Sequence, residues 1–127
     1  MGIKITQDAG APTASIDLMI TQSLPDYDLD EITAPIPRDV DPMLASQGFK
    51  DLLDEVRATL DRELSGSNLE LTQLTGAISH DQAVYHPGIW VVLRERDAAK
   101  DAKEMSAPAR QRITAVAETL RSTFHLS

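Results

Sequence analysis

Cysteine is absent from this chain, which excludes disulfides and thiolate metal sites and leaves the redox compartment open. Aromatic residues are almost as scarce. Tyr27, Phe49, Tyr85, Trp90 and Phe124 are the whole set, so stacking platforms for bases or flat cofactors are few. Long apolar runs are missing too. The most apolar early stretch, Ile16 to Ile20, is short and interrupted by Asp17, which fits neither a signal core nor a membrane span. The expectation is a cytoplasmic protein or a component of a soluble assembly, with no signal peptide and no transmembrane segment. Positive charge is in deficit: 12 Lys and Arg stand against 20 Asp and Glu, giving a net charge of −8. That shortage argues against nucleic-acid backbones and anionic membrane surfaces as partners. Basic protein surfaces are the natural electrostatic match.

What is present is unevenly distributed. Five of the seven prolines fall within the first 42 residues, at Pro12, Pro25, Pro35, Pro37 and Pro42. Within residues 1–41, Lys4 and Arg38 face Asp8, Asp17, Asp26, Asp28, Asp30, Glu31, Asp39 and Asp41, a net of −6 out of −8. Proline pushes the residue before it toward extended geometry, so residues 25–42 read as an extended path rather than a periodic element. Tyr27, Leu29, Ile32, Ile36 and Val40 lie along that path and supply anchors that a purely solvating linker would not need. Upstream, Ile16, Leu18 and Ile20 alternate with Asp17 at the period of a strand. The chain thus divides into an acidic N-terminal arm, residues 1–41, and a helical body, residues 42–127, long enough together to bury one core.

Two helices are predicted from periodicity. The first follows Asp41 as N-cap and Pro42, with Phe49, Leu52, Leu53, Val56, Leu60 and Leu64 on one face and Ser65-Gly66 as the stop. The second starts at Ser106 or Ala107 and carries Ile113, Val116, Ala117, Leu120 and Phe124 as its stripe. Between them, residues 68–85 open with a capping box, Ser67-Asn68-Leu69-Glu70, and Leu71, Leu74 and Ile78 continue at helical spacing. That spacing predicts a helical hairpin with the first helix. Thr72, Thr75, Gly76 and Ser79 are poor helix formers, and the alternation at Leu69 and Leu71 makes a strand the competing reading. Ile89-Trp90-Val91-Val92-Leu93 reads locally as a buried strand. It runs into Arg94 to Lys103, a solvated sequence with strong helix-forming character, so either a strand feeds a helix or one helix begins apolar at Ile89 and ends polar.

Motifs that would carry chemistry fail on inspection. Asp26, Asp28 and Asp30 begin like a calcium loop, but the required glycine position is Glu31 and the closing glutamate position is Pro37. His80, Asp81 and His86 form the richest histidine patch, yet six residues separate the two rings where helical metal pairs want four, and no nucleophile motif lies nearby. No glycine pattern matches a phosphate loop. Arg94, Arg96, Lys100 and Lys103 interleave with Glu95, Asp97, Asp101 and Glu104 and neutralise themselves. Trp90 belongs by default to the core, with an interface hot spot as its functional reading.

The architecture expected is mainly α: a small helical hairpin or bundle with an extended, proline-rich acidic arm. The alternative is α+β, with strands near 16–21, 69–74 and 89–94 forming a small antiparallel sheet under two helices. Such a chain suits a non-enzymatic interaction protein, an adaptor or structural subunit of a larger assembly such as a secretion apparatus or a virus particle. Its docking residues would be Ile16, Leu18, Ile20, Tyr27, Leu29, Ile32, Ile36, Val40 and Trp90. The alternative function is a small acidic chaperone that holds an extended client and works as a dimer. No cofactor or metal is expected, and protein partners, a second copy of the chain included, are the expected ligands.

Overall fold

A computed structural model of the chain describes residues 4–8, 10–20, 44–81, 84–98 and 101–126. Two hairpins build one antiparallel sheet. Strands β1 (Lys4–Gln7) and β2 (Thr13–Met19) form the first, and β3 (Leu69–Asp81) and β4 (Val84–Glu95) the second. The sheet order is β1-β2-β4-β3, so β4 is central and hydrogen-bonded to β2 on one side and β3 on the other. Helix α1 (Gln47–Leu64) precedes β3 and helix α2 (Ala107–Phe124) follows β4. The architecture is therefore α+β, and the mainly helical expectation is wrong. The alternative, a small antiparallel sheet with two helices, is the fold observed.

Alternation along the strands decides where the core lies. Ala14, Ile16 and Leu18 of β2 stand opposite Leu93, Val91 and Ile89 of β4, and all six are buried. Phe49, Val56 and Leu60 of α1 and Ile113, Val116 and Leu120 of α2 close over them in the same cluster. Both helices thus cover one face of the sheet. Each turns out to be amphipathic along the stripe its periodicity predicts, although Leu52, Leu53 and Phe124 are only half-buried.

The predicted helix over 68–85 is a strand, and one bulge explains the misreading. Leu71 pairs with Leu93 and Gln73 with Val92, leaving Thr72 as an extra residue. Its hydroxyl donates to the Val92 carbonyl at 3.0 Å. The bulge shifts inward-facing positions from odd to even numbers, so Leu69 and Leu71 are followed by Leu74, Gly76 and Ile78. A two-residue period with one slip contains the step of three that imitates a helix. The expected helical run from Arg94 to Lys103 is also absent: β4 continues to Glu95, and the described residues 96–98 and 101–106 are turn and irregular chain. Strand pairing overrides local propensity at Arg94 and Glu95, where the expected run begins.

Caps fix the helix ends. Ser46 accepts the Phe49 N–H at 3.2 Å, so α1 starts later than the Asp41-Pro42 signal predicts; residues 41–43 lie outside the described residues. Gly66, at φ 77°, supplies the left-handed turn between α1 and β3. At the far end, Leu126 forms a bridge with Ile20, which ties the chain after α2 to the end of β2.

Gly76 shows how closely α1 approaches the sheet. A Cβ there would sit 2.7 Å from Phe49 Cε2 and 3.0 Å from Cζ, and Phe49 is buried. Gly76→Ala is expected to lower unfolding free energy by about 1–3 kcal/mol, the cost of overpacking a filled core. In urea denaturation its effect should be smaller when combined with Phe49→Leu, because the smaller side chain frees the contested space. Equal costs in both backgrounds would contradict the packing described.

Candidate protein-binding face

The face of the sheet turned away from the helices is built by the same alternation. Trp90 lies between Asp17 of β2 and Thr75 of β3, and Val92 between Ser15 and Gln73. Lys4 and Thr6 of β1 extend the rows beyond Asp17 and Ser15. Ile89 and Val91 point into the core, so Trp90 must point out of it. Its relative exposure is 43%. The default placement of this residue in the core is thereby overturned.

Two shallow grooves flank the indole. One, of about 340 Å³, runs past Lys4, Asp17 and Ala77 and ends at Ile78 on the sheet edge. The other, of about 360 Å³, lies toward Gln7, Asp8 and Val92. Ile78, 37% exposed, is the other large hydrophobic residue left open among the described residues. An apolar ring surrounded by Thr, Ser, Asp and Lys side chains offers dispersion and hydrogen bonding together, the composition of a protein contact surface.

The other predicted docking residues fall elsewhere. Ile16, Leu18 and Ile20 are buried in the core beneath the helices and are not accessible anchors. Tyr27, Leu29, Ile32, Ile36 and Val40 lie outside the described residues, as does the Asp26-Asp28-Asp30 run. Sequence reasoning missed the neighbours of Trp90, namely Lys4, Thr6, Asp17, Thr75 and Ala77. The strand alternation around Ile16 and Ile89 was the signal that places them, and it needed the pairing register to become a surface.

The histidine patch maps to the outer end of the β3–β4 hairpin. In the ladder Ser79 stands opposite His86, His80 opposite Tyr85 and Asp81 opposite Val84. His86 Nδ1 is enclosed without a hydrogen-bond partner among the described residues. No cluster of three or more metal-ligating side chains occurs among those residues. Nor is any described helix long and apolar enough to cross a membrane.

One carboxylate is held tightly. Glu95, at the inner end of β4, is nearly buried, and a cavity of about 410 Å³ opens beside it between β3 and the start of α2. Its oxygens accept the Ser106 N–H at 2.9 Å and the Ser106 hydroxyl at 2.6 Å. Ser106 Oγ in turn accepts the Ala109 N–H at 3.3 Å as the N-cap of α2. The Ser106 hydroxyl bond, followed by the backbone bond, holds the Glu95 pKa below its ordinary value, while burial opposes them. Both oxygens are engaged with the helix start, and the nearby Arg112 donates to the Glu63 carbonyl. The arrangement joins a strand to a helix and leaves no unengaged base.

Because the folded pKa is depressed, the stability Glu95 contributes is fully present above the ordinary glutamate value of about 4.3 and is lost as pH falls through the lower folded value. Glu95→Gln is expected to cost about 1.5–3 kcal/mol at pH 7, the range for hydrogen bonds to a charged group. The gap between variant and native protein should narrow in urea titrations below pH 4. A gap independent of pH would show that the charge of Glu95 does not matter.

Comparison with protein-family models, with curated proteins and with solved structures yields no match to this chain.

Proposed function

We propose that the chain is a non-enzymatic protein-binding subunit that receives a partner protein on the helix-free face of its sheet, with Trp90 as the anchor. The observation that carries this reading is the exposure of a tryptophan in the middle of a sheet face that no described helix covers, flanked by two grooves. Tryptophan is among the residues most enriched at binding hot spots, and a rim of polar side chains excludes water around such an anchor. Adaptor or structural-subunit work needs nothing more than such a surface on a stable body. The acidic, proline-rich arm expected to do the docking lies outside the described residues from residue 21 onward, so the part of that stretch in docking rests on sequence alone.

A second reading is supported by the fold itself. A small acidic chaperone for an extended client needs an α+β fold and a dimer, and the α+β sheet with two helices meets the first of these needs. The grooves beside Trp90 would then take successive side chains of the client.

Trp90 is the only tryptophan in the chain, so its fluorescence reports this surface alone. In the isolated protein, acrylamide should quench the emission strongly. Binding of a partner should shift the emission to the blue and protect it. Trp90→Ala should lower unfolding free energy by only about 1–2 kcal/mol, the strand-propensity and cross-strand contribution of a half-exposed residue, and leave the fold intact. The same variant should fail to retain the partners that the native chain captures from lysate of its own cells. Undiminished capture by a folded Trp90→Ala protein would refute the proposal.

A further inference from the structure

The outer edge of β3 is long and carries few of the devices that normally blunt a free strand. Backbone bonds at both ends of β4 fix which way the strand groups point. The Glu95 N–H donates to the Pro12 carbonyl at 3.0 Å, and the Pro87 carbonyl accepts the Ile20 N–H at 2.8 Å. Odd-numbered residues of β4 therefore bond toward β2 and even-numbered ones toward β3. Across the ladder, Thr75 and Ala77 face Trp90 and Gly88 and bond inward. Leu74, Gly76 and Ile78 consequently turn their N–H and C=O groups outward. None of the described strands pairs with them, because β3 is the last strand of the sheet.

Edge strands are usually protected by lysine, proline, inward charge or bulges. From Leu71 to His80 there is no Lys, Arg, Asp, Glu or Pro, and the bulge at Thr72 sits at one end of the strand. We infer that the β3 edge pairs, antiparallel and about a two-fold axis at Gly76, with β3 of a second copy of this chain, extending the two sheets into one.

The choice of a second copy rests on three observations. First, a chain of net charge −8 repels its own copy, and the neutral window from Leu71 to His80 is where that repulsion is weakest. A basic extended partner would find no carboxylate to choose there. Second, the Gly76-centred register sets Leu74 against Ile78 of the second copy, on the helix side of the sheet. Half-buried Leu74 then covers Ile78, one of the two exposed large hydrophobics among the described residues. Shifting the axis by one residue either way places Ile78 against the bulged Thr72 or against Gly76 and leaves it uncovered. Third, the register keeps Glu70 and Asp81 from opposing either themselves or one another, so no carboxylates meet across the junction. Gly76, exposed and without a side chain, lies on the axis, so no side chain stands between the two copies there.

Strand pairing alone buries less than the roughly 1,200 Å² of a small stable interface, so a reversible dimer that forms at about micromolar concentrations is expected. The dimer does not depend on the Trp90 surface, because Trp90 points out of the sheet face rather than off its edge.

Sedimentation velocity of the full chain from about 1 to 300 μM should show monomer converting to dimer. Ile78→Pro removes an outward N–H and leaves the β3–β4 ladder intact, and it should weaken the dimer about tenfold or more. A charge exchange tests the register itself. Thr75 and Ala77 of opposite copies would form closely spaced pairs beside the axis. Thr75→Lys with Ala77→Lys should be monomeric, as should Thr75→Glu with Ala77→Glu, and mixing the two should restore the dimer. Circular dichroism checks that each variant is folded. Trp90→Ala should dimerise like the native chain, which separates this inference from the proposed docking face. A native chain monomeric at 300 μM would overturn the inference. So would folded like-charged variants that still dimerise, or a mixture that does not.

Discussion

Strand β4 is hydrogen-bonded on both sides, to β2 and to β3, and the rest of the structure is arranged around that pairing. Once both neighbours are in register, no residue of β4 can change face without moving the entire strand. Ile89, Val91 and Leu93 meet Leu18, Ile16 and Ala14 across one ladder, and this row makes the floor of the core. A floor of that width needs a roof, which α1 and α2 provide with Phe49, Val56, Leu60, Ile113 and Leu120. The cost of exposing this row would be large, about 1.5–3 kcal/mol for each buried aliphatic side chain. The exposure of Trp90 follows from the same constraint. An indole in the middle of an apolar run remains outside because its neighbours on both sides are held inside.

Three contacts set the helices onto the sheet. At one end of α2, Glu95 grips Ser106, so that the strand terminus and the helix start share one hydrogen-bond unit. At the other end the chain reverses through His125, in left-handed conformation at φ 55°, and Leu126 reaches Ile20. Helix α1 is positioned by a close approach rather than a polar bond, Phe49 resting on the bare backbone of Gly76. The sequence separations are long in two of the three cases. Together they fix the roof to β2, β3 and β4.

The elements legible in the sequence are those whose stability is local. Both helices carry three to five turns of consistent amphipathic spacing, which no strand pairing would produce. Strand β2 was recognisable from Ile16, Leu18 and Ile20, and the buried run at Ile89 pointed to β4. Strand β3 was hidden because the extra residue at Thr72 changes the phase of its alternation, and a phase change of one residue converts a strand signature into a helical one. Arg94 to Lys103 misled for a different reason. Its helix propensity is real but worth only tenths of a kcal/mol per residue, the ladder takes Arg94 and Glu95, and the remainder is too short to hold a helix by propensity alone. The docking face lay between these cases. Trp90 stands out in the sequence as a possible contact residue, but its neighbours come from three other strands, and only the register brings Lys4, Asp17 and Thr75 beside it. Ile16, Leu18 and Ile20 were assigned to docking because an alternating apolar row looks the same whether it faces a partner or the chain's own helices.

Charge is unevenly divided along this chain, and the division sets what each part could attract. Residues 21–43 carry Asp26, Asp28, Asp30, Glu31, Asp39 and Asp41 against Arg38, a net of −5 out of −8. The remaining residues are much closer to neutral, and α2 even carries Arg110, Arg112 and Arg121 against the single Glu118. Any attraction to basic proteins would therefore come from the 21–43 segment. It does not extend to the sheet face, where Lys4 stands across from Asp17, or to the β3 edge, which is uncharged from Leu71 to His80. Recognition at those two places has to come from shape, apolar contact and backbone hydrogen bonds. Interactions of that kind change little with salt, whereas attraction through the acidic segment is screened within a Debye length of about 8 Å at physiological ionic strength. Contacts made by the proposed surfaces of the described body would thus persist under conditions that abolish electrostatic steering, whereas the charge of residues 21–43 would act on the rate of encounter rather than on which partner stays bound.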